Sequence, residues 1–208
     1  MCIRDSTKYT FTMPSGKVTV KATFAKVSEQ PEPGSMAFTD VASSAYYYDA
    51  VKWAVEQGIT SGITATTFGP DASCTRAQMV SFLWRANGSP KAAGANPFTD
   101  VSADAYYYDA VLWAVEKGIT SGTSATTFSP NATVTRGQTV SFLHRANGSP
   151  AVSGSSPFTD VAADAYYAAA VQWAVAENIT AGTSATTFSP DAACTRGQIV
   201  SFLYRDMA

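Results

Sequence analysis

Three copies of a Thr-Arg-X-Gln tetrapeptide, Thr75-Arg76-Ala77-Gln78, Thr135-Arg136-Gly137-Gln138 and Thr195-Arg196-Gly197-Gln198, each open a stretch of helical periodicity. Thr followed three residues later by Gln is the capping-box pattern, in which each side chain serves an orphan backbone N–H of the other residue. Arg76, Arg136 and Arg196 then stand at the positive end of a helix dipole, where a cation is unfavourable by about 0.3–1 kcal/mol. Two arrangements would offset that cost. One is an ion pair with Asp40, Asp100 or Asp160. The other is an anion site, in which free N–H groups and a guanidinium fork hold a carboxylate or phosphate. Arg85, Arg145 and Arg205 fall near the C-terminal ends of the same helices, where a cation suits the dipole and a solvated structural role is expected.

Other chemistry has less support. Nucleophilic catalysis needs a base beside the nucleophile, and the single histidine, His144, falls where the other copies have Trp84 and Tyr204, a position that asks for an aromatic body. A glycosidase needs two carboxylates of separated pKa, yet Asp49 and Asp109 become Ala169 in the third copy, and Glu56 and Glu116 become Ala176. No phosphate loop, paired-cysteine metal spacing or alternating-acid calcium loop is present. Cys74 and Cys194 alternate with Val134, which reads as a small buried apolar site. The expectation is a protein that is not an enzyme and uses no cofactor or metal.

These residues sit in a larger repeat. Phe38-Thr39-Asp40-Val41 returns at Phe98 and Phe158, a period of 60 residues shared by Trp53, Trp113 and Trp173, so one structural unit is used three times. In each unit a first helix carries Tyr47, Ala50, Val51 and Ala54 on one stripe, with an apolar arc wide enough to predict contacts between units. A second helix starts at the Thr cap, with Met79, Val80 and Leu83 as its core stripe. The 16-residue loop between them is long for a connector. Phe68, Phe128 and Phe188 are expected to anchor it, with Asp71, Asn131 and Asp191 in Asx-type turns. Its Thr, Ser and Gly residues offer hydroxyl and backbone donors suited to a sugar.

Residues 7–24 alternate apolar and polar across Pro14-Ser15-Gly16, predicting a β-hairpin or the end of a truncated β-repeat domain, and residues 25–37 read as a linker. The units are then 38–90, 98–150 and 158–208. The fold class expected is mainly α: three helix-loop-helix repeats preceded by a short hairpin. The chain reads as the C-terminal portion of a larger protein, with an N-terminal remainder among its partners. Its 208 residues, 46% hydrophobic, can bury a core. A formal charge of −2 with 14% charged residues argues against a nucleic-acid or anionic-membrane partner. No apolar run approaches the roughly 18 residues of a spanning helix.

The order "FTDV…W…GITSG…FGPDASCTRAQ", three times over residues 38–208, resembles the S-layer homology modules of bacterial surface proteins. The resemblance implies a pseudo-threefold bundle whose inter-repeat grooves bind a secondary cell-wall polymer or other peptidoglycan-linked glycan, commonly one with a pyruvylated sugar. That would anchor an extracellular protein non-covalently to a Gram-positive wall. On it, Arg76, Arg136 and Arg196, Asp40, Asp100 and Asp160, and Trp53, Trp113 and Trp173 are the polymer-binding residues. Tryptophans at helical spacing equally serve packing. The family signature has Glu where this chain has Gln78, Gln138 and Gln198. The alternative class is a structural or protein–protein module in which the arginines pair internally. Loss of charge at positions 169 and 176 predicts unequal grooves.

Overall fold

A computed structural model describes residues 36–154 and 156–208. The predicted hairpin over 7–24 and most of the 25–37 linker lie outside the described residues. The rest is mainly helical, with six helices: α1 (Tyr48–Glu56), α2 (Arg76–Ala86), α3 (Tyr108–Glu116), α4 (Arg136–Ala146), α5 (Ala168–Ala176) and α6 (Arg196–Met207). Each repeat contributes one short and one longer helix.

Local chemistry sets the helix ends. Thr75, Thr135 and Thr195 are N-caps of α2, α4 and α6, and in each the Thr hydroxyl accepts from the Gln N–H while the Gln side chain accepts from the Thr N–H. The first helices stop where the chain enters the left-handed region, at Gly58 and Gly118 (φ 68°) and at Asn178 (φ 59°). Asn is the usual second choice there because its short side chain tolerates positive φ. Farther into the loop, a Cβ on Gly62 would come within 2.4 Å of the Phe38 ring and 2.8 Å of the Thr67 carbonyl, so only glycine lets Phe38 cover the loop.

The principal helix pairs are not those within a repeat. α3 packs on α2, α5 on α4, and α1 on α6, so each first helix lies against the second helix of the preceding repeat and the third repeat closes back on the first. The wide apolar arc of the first helix is accounted for by this exchange. Nine residues cannot bury much alone; Ala50, Val51 and Ala54 are at most 2% exposed because a neighbouring repeat covers them.

At the centre the chain makes a closed ring of backbone hydrogen bonds. Cys74 N–H donates to the Cys194 carbonyl (3.0 Å), Cys194 N–H to Val134 (3.0 Å) and Val134 N–H to Cys74 (2.9 Å). All three side chains are fully buried. Small apolar residues are required where three segments meet, which is why Cys and Val alternate there. Burial pushes the Cys74 thiol up to about 12 and the Cys194 thiol to about 11.

Candidate functional site

Arg76 begins α2 and is 3% exposed. Its Nε donates to the Phe128 carbonyl at 2.9 Å, and its guanidinium carbon lies 4.9 Å from the centroid of the Phe128 ring and 5.4 Å from that of Phe142. Arg136 repeats this on Phe188 and Arg196 on Phe68, each at 2.9 Å. The same loop residue is held from its other side by its own repeat. Asp100 Oδ1 accepts from Phe128 N–H (2.8 Å) and Oδ2 from Ser129 N–H (2.7 Å). Asp40 grips Phe68 and Gly69, and Asp160 grips Phe188 and Ser189, in the same way.

Arginine and aspartate therefore meet through a peptide unit, the guanidinium on its carbonyl and the carboxylate on its N–H. The direct ion pair considered from spacing does not form among the described residues; charge acts at longer range. Burial works to raise the Asp40 carboxyl, but the Phe68 and Gly69 N–H bonds and the Arg196 charge outweigh it and hold the group below its ordinary value. Asp160 is lowered in the same way, by Phe188, Ser189 and Arg136.

The anion-site expectation needs one correction. The N–H groups at the helix starts are already used: Arg76 N–H donates to Ala132 O (2.9 Å) and Ala77 N–H to Pro130 O (3.0 Å), both in the next repeat's loop, and the threefold-related pairs do likewise. Any anion must be held by side chains. The loop turn is also closed differently from an Asx turn, by Ala72 N–H to Gly69 O (3.1 Å) and its counterparts.

Beside Arg76 lies an open groove of about 340 Å³, lined by Thr120, Ser121, Gly122 and Thr123 of the second repeat's loop, Gln138, Ser141, Phe142 and Arg145 of α4, and Tyr166 of the third repeat. Three repeats build one groove. Two of its lining groups are guanidinium groups and none is a carboxylate. Gln138 Oε1 is engaged as acceptor from Thr135 N–H (3.3 Å), which leaves its amide Nε2 as a donor beside both arginines. Arg76 Nη2 is buried with no hydrogen-bond partner among the described residues, and so is Arg136 Nη2. A buried donor left unmatched is costly, and a ligand acceptor would relieve it.

The 60-residue period places Gln198, Arg205 and Tyr46 about Arg136, and Gln78, Arg85 and Tyr106 about Arg196. Tyr46, Tyr106 and Tyr166 are 61–65% exposed, each edge-on to the following tyrosine at 4.9–5.0 Å. The copies differ at the loop tip. Thr123 and Thr183 bond Ser129 and Ser189 (2.7 Å each), whereas the first repeat has Ile63, 57% exposed and lying over Gly69. Arg196 Nη2 also reaches Thr60 Oγ1 at 3.4 Å.

Trp53, Trp113 and Trp173 are not in this groove. Trp53 meets Tyr204 (5.6 Å) and Trp173 meets His144 (5.4 Å) across repeat boundaries, while Trp113 is 4% exposed on the face of α3 that packs on α2. His144 Nε2 is 2.9 Å from the Pro150 carbonyl, as Trp84 Nε1 is from that of Pro90, so this aromatic position ties down the connectors. Arg85, Arg145 and Arg205 each donate to the carbonyl after the first helix, at Ile59, Ile119 and Ile179 (2.9–3.0 Å), and are more than solvated cap residues. Reading from the sequence missed that Arg145 lines the groove and favoured packing over groove-lining for the repeated tyrosines, whereas Tyr166 lines it. The recurrence of Tyr46, Tyr106 and Tyr166 at the repeat period was the available signal, but which repeat receives each ring was not readable. Among the described residues no His, Cys, Asp or Glu cluster could hold a metal, and no helix is long and apolar enough to cross a membrane.

A family model described as S-layer homology domain matches residues 37–80, 97–140 and 157–200. The chain is 34% identical over 157 residues to the surface-layer 125 kDa protein of Lysinibacillus sphaericus, covering 74% of this chain and 13% of that protein. It is 32% identical over 139 residues to a cell surface protein of Thermoanaerobacter kivui, covering 63% and 18%. It is 31% identical over 119 residues to an endoglucanase of Bacillus sp. strain KSM-635, covering 57% and 12%. The chain thus spans less than a fifth of the length of each of these relatives.

Proposed function

Because the chain belongs to the S-layer homology domain family, whose modules anchor extracellular proteins at the cell wall, we propose that it holds its protein to the wall by binding an anionic secondary cell-wall polymer in the inter-repeat grooves. A pyruvylated sugar fits best, since it joins a carboxylate to a ring. The observation that carries this reading is the groove beside Arg76. It combines two guanidinium groups, an unmatched buried Nη2, the Gln138 amide and an exposed tyrosine, with no carboxylate to repel an anion. The carboxylate would take the guanidinium and amide donors, and the sugar face would lie on Tyr166 beside the Ser121 and Thr123 hydroxyls. Asp40, Asp100 and Asp160 act at one remove by fixing the loop. The module binds and does no chemistry of its own.

The grooves are unequal on this reading. The Arg196 groove carries Ile63 in place of threonine and spends Nη2 on Thr60, so it is the weak one. Residues 169 and 176, where the sequence first suggested asymmetry, are not groove residues about Arg76, nor are their counterparts.

A second reading has its own observation, since every Thr-Arg arginine already has a structural partner. On it the module is an interaction surface without glycan binding. The test is sedimentation of the whole chain with Gram-positive sacculi before and after chemical removal of the secondary polymer, alongside Tyr46→Ala/Tyr106→Ala/Tyr166→Ala. Each of these tyrosines is 61–65% exposed, so alanine removes the groove's stacking face and leaves the core in place. Retention that disappears with the polymer and in the triple variant supports the anchor. A folded chain that stays in the supernatant throughout, or is retained regardless of polymer, would favour the protein-interaction reading.

A further inference from the structure

A second ring of cavities lies at the repeat seams, past Arg85, Arg145 and Arg205. Each has a tryptophan of the first helix as its floor and the arginine of the second helix as one wall: Trp53 with Arg85, Trp113 with Arg145, and Trp173 with Arg205, in cavities of about 390, 420 and 310 Å³. The fold makes the pocket three times, and one variable position, the residue capping the first helix, sets its charge. That residue is Gln57 in the first, Lys117 in the second and Glu177 in the third.

Only the Trp113 pocket pairs two cations, Lys117 with Arg145, and the Trp53 pocket has Arg85 alone. The neighbouring Glu116 carboxylate is engaged with Ala93 N–H at 2.9 Å, on the connector, and does not line the cavity. The Trp173 pocket instead presents Glu177 and Asp206 against Arg205, and the Trp53 pocket presents Gln57 and Met207. Arg145 lines both the Trp113 pocket and the groove beside Arg76, and Ile119 of the former directly precedes Thr120 of the latter. The two cavities share Arg145 as a common wall.

We propose that the Trp113 pocket is a second anion subsite, which takes a further acidic substituent, carboxylate or phosphate, on the same polymer one or more sugar residues beyond the group held at Arg76. Two anionic groups engaged on one rigid surface bind as a linked pair, so the second adds affinity without a second encounter. The Trp173 pocket repels the same group. This makes the seam between the first and second repeats the one selective for a multiply charged polymer.

The inference rests on the glycan-anchor reading, and its test separates the two. Polymer-bearing sacculi are titrated with the whole chain and with Lys117→Glu, Lys117→Gln, Gln57→Glu and Tyr166→Ala, at two salt concentrations. Lys117 is exposed, so the thermal midpoints of its variants should stay within about 2 °C of one another. Lys117→Glu should weaken retention about tenfold and Lys117→Gln a few fold, with a shallower salt dependence for both. Gln57→Glu carries the same helix-end charge and should leave retention unchanged. Retention by Lys117→Glu equal to the unaltered chain while Tyr166→Ala is weakened overturns the second subsite alone, as does an equal loss in Gln57→Glu. An unaltered chain that does not bind sacculi overturns the anchor reading and this subsite with it.

Discussion

At the scale of single residues, the arginine after each cap is where structure and function compete. Its Nε bond to a buried loop carbonyl and its place over two phenylalanine rings make it a staple between repeats. Arg136→Ala strands the Phe188 carbonyl and should cost about 1–3 kcal/mol, seen as a lowered thermal midpoint. An arginine-to-alanine test of polymer binding is therefore confounded by stability, and the exposed Tyr46, Tyr106 and Tyr166 are the cleaner positions to vary. The lowered Asp40 and Asp160 carboxyls have a linked consequence. A carboxyl whose folded pKa lies below its ordinary value of 3.8 adds stability that is complete above that value and is lost as pH falls through the lower folded one. Acid titration of Asp40→Asn/Asp160→Asn should show a weaker stability loss below about pH 4 than the unaltered chain. The thiols, raised to about 12 and about 11, should be inert to a thiol reagent in the native state and react on denaturation. Cys74→Val should be tolerated within about 1.5 kcal/mol because Val134 fills the equivalent place.

At the scale of elements, the second helices are set by local chemistry and the first helices are not. Thr135→Ala removes one side of a capping box and should lower stability by about 1 kcal/mol, measured by chemical denaturation. Tyr166→Ala should cost no more than about 1.5 kcal/mol by the same measurement, the worth of its edge-on contact with Tyr167, and should reduce sacculus retention, because the ring lines the groove beside Arg76. Single tyrosine substitutions should rank the grooves, with Tyr106→Ala, in the groove about Arg196, having the smallest effect on retention. The first helices have no side-chain N-cap bond and are nine residues long, so they depend on packing against a neighbouring repeat.

At the scale of the whole molecule, the ring has no spare member. α1 has α6 as its partner, Cys74 N–H has the Cys194 carbonyl, and Arg196 holds Phe68. A chain ending at Pro150 would expose the apolar faces of α1 and α4 and leave Phe68 without its arginine. It should lose the single cooperative thermal transition expected of three repeats and bind a hydrophobic dye. A groove that draws on all three repeats cannot survive that loss, so sacculus retention should vanish too.

The sequence by itself determined the repeat and its period, the capped second helices, the small central residue at Cys74, Val134 and Cys194, the loop anchors Phe68, Phe128 and Phe188, and the family. Each is a local pattern or a pattern copied at fixed spacing, and such patterns are carried by the residues that form them. Only the tertiary structure decided which repeat each helix packs on. It also showed that the arginine and aspartate meet through a peptide unit, that helix-start N–H groups are consumed by the next repeat, and that Tyr166 joins Arg76 and Gln138 in one groove. Those are relations between segments of different repeats, far apart in the chain. A threefold repeat leaves them ambiguous, because three near-identical partners satisfy the same sequence pattern and only ring closure selects among them.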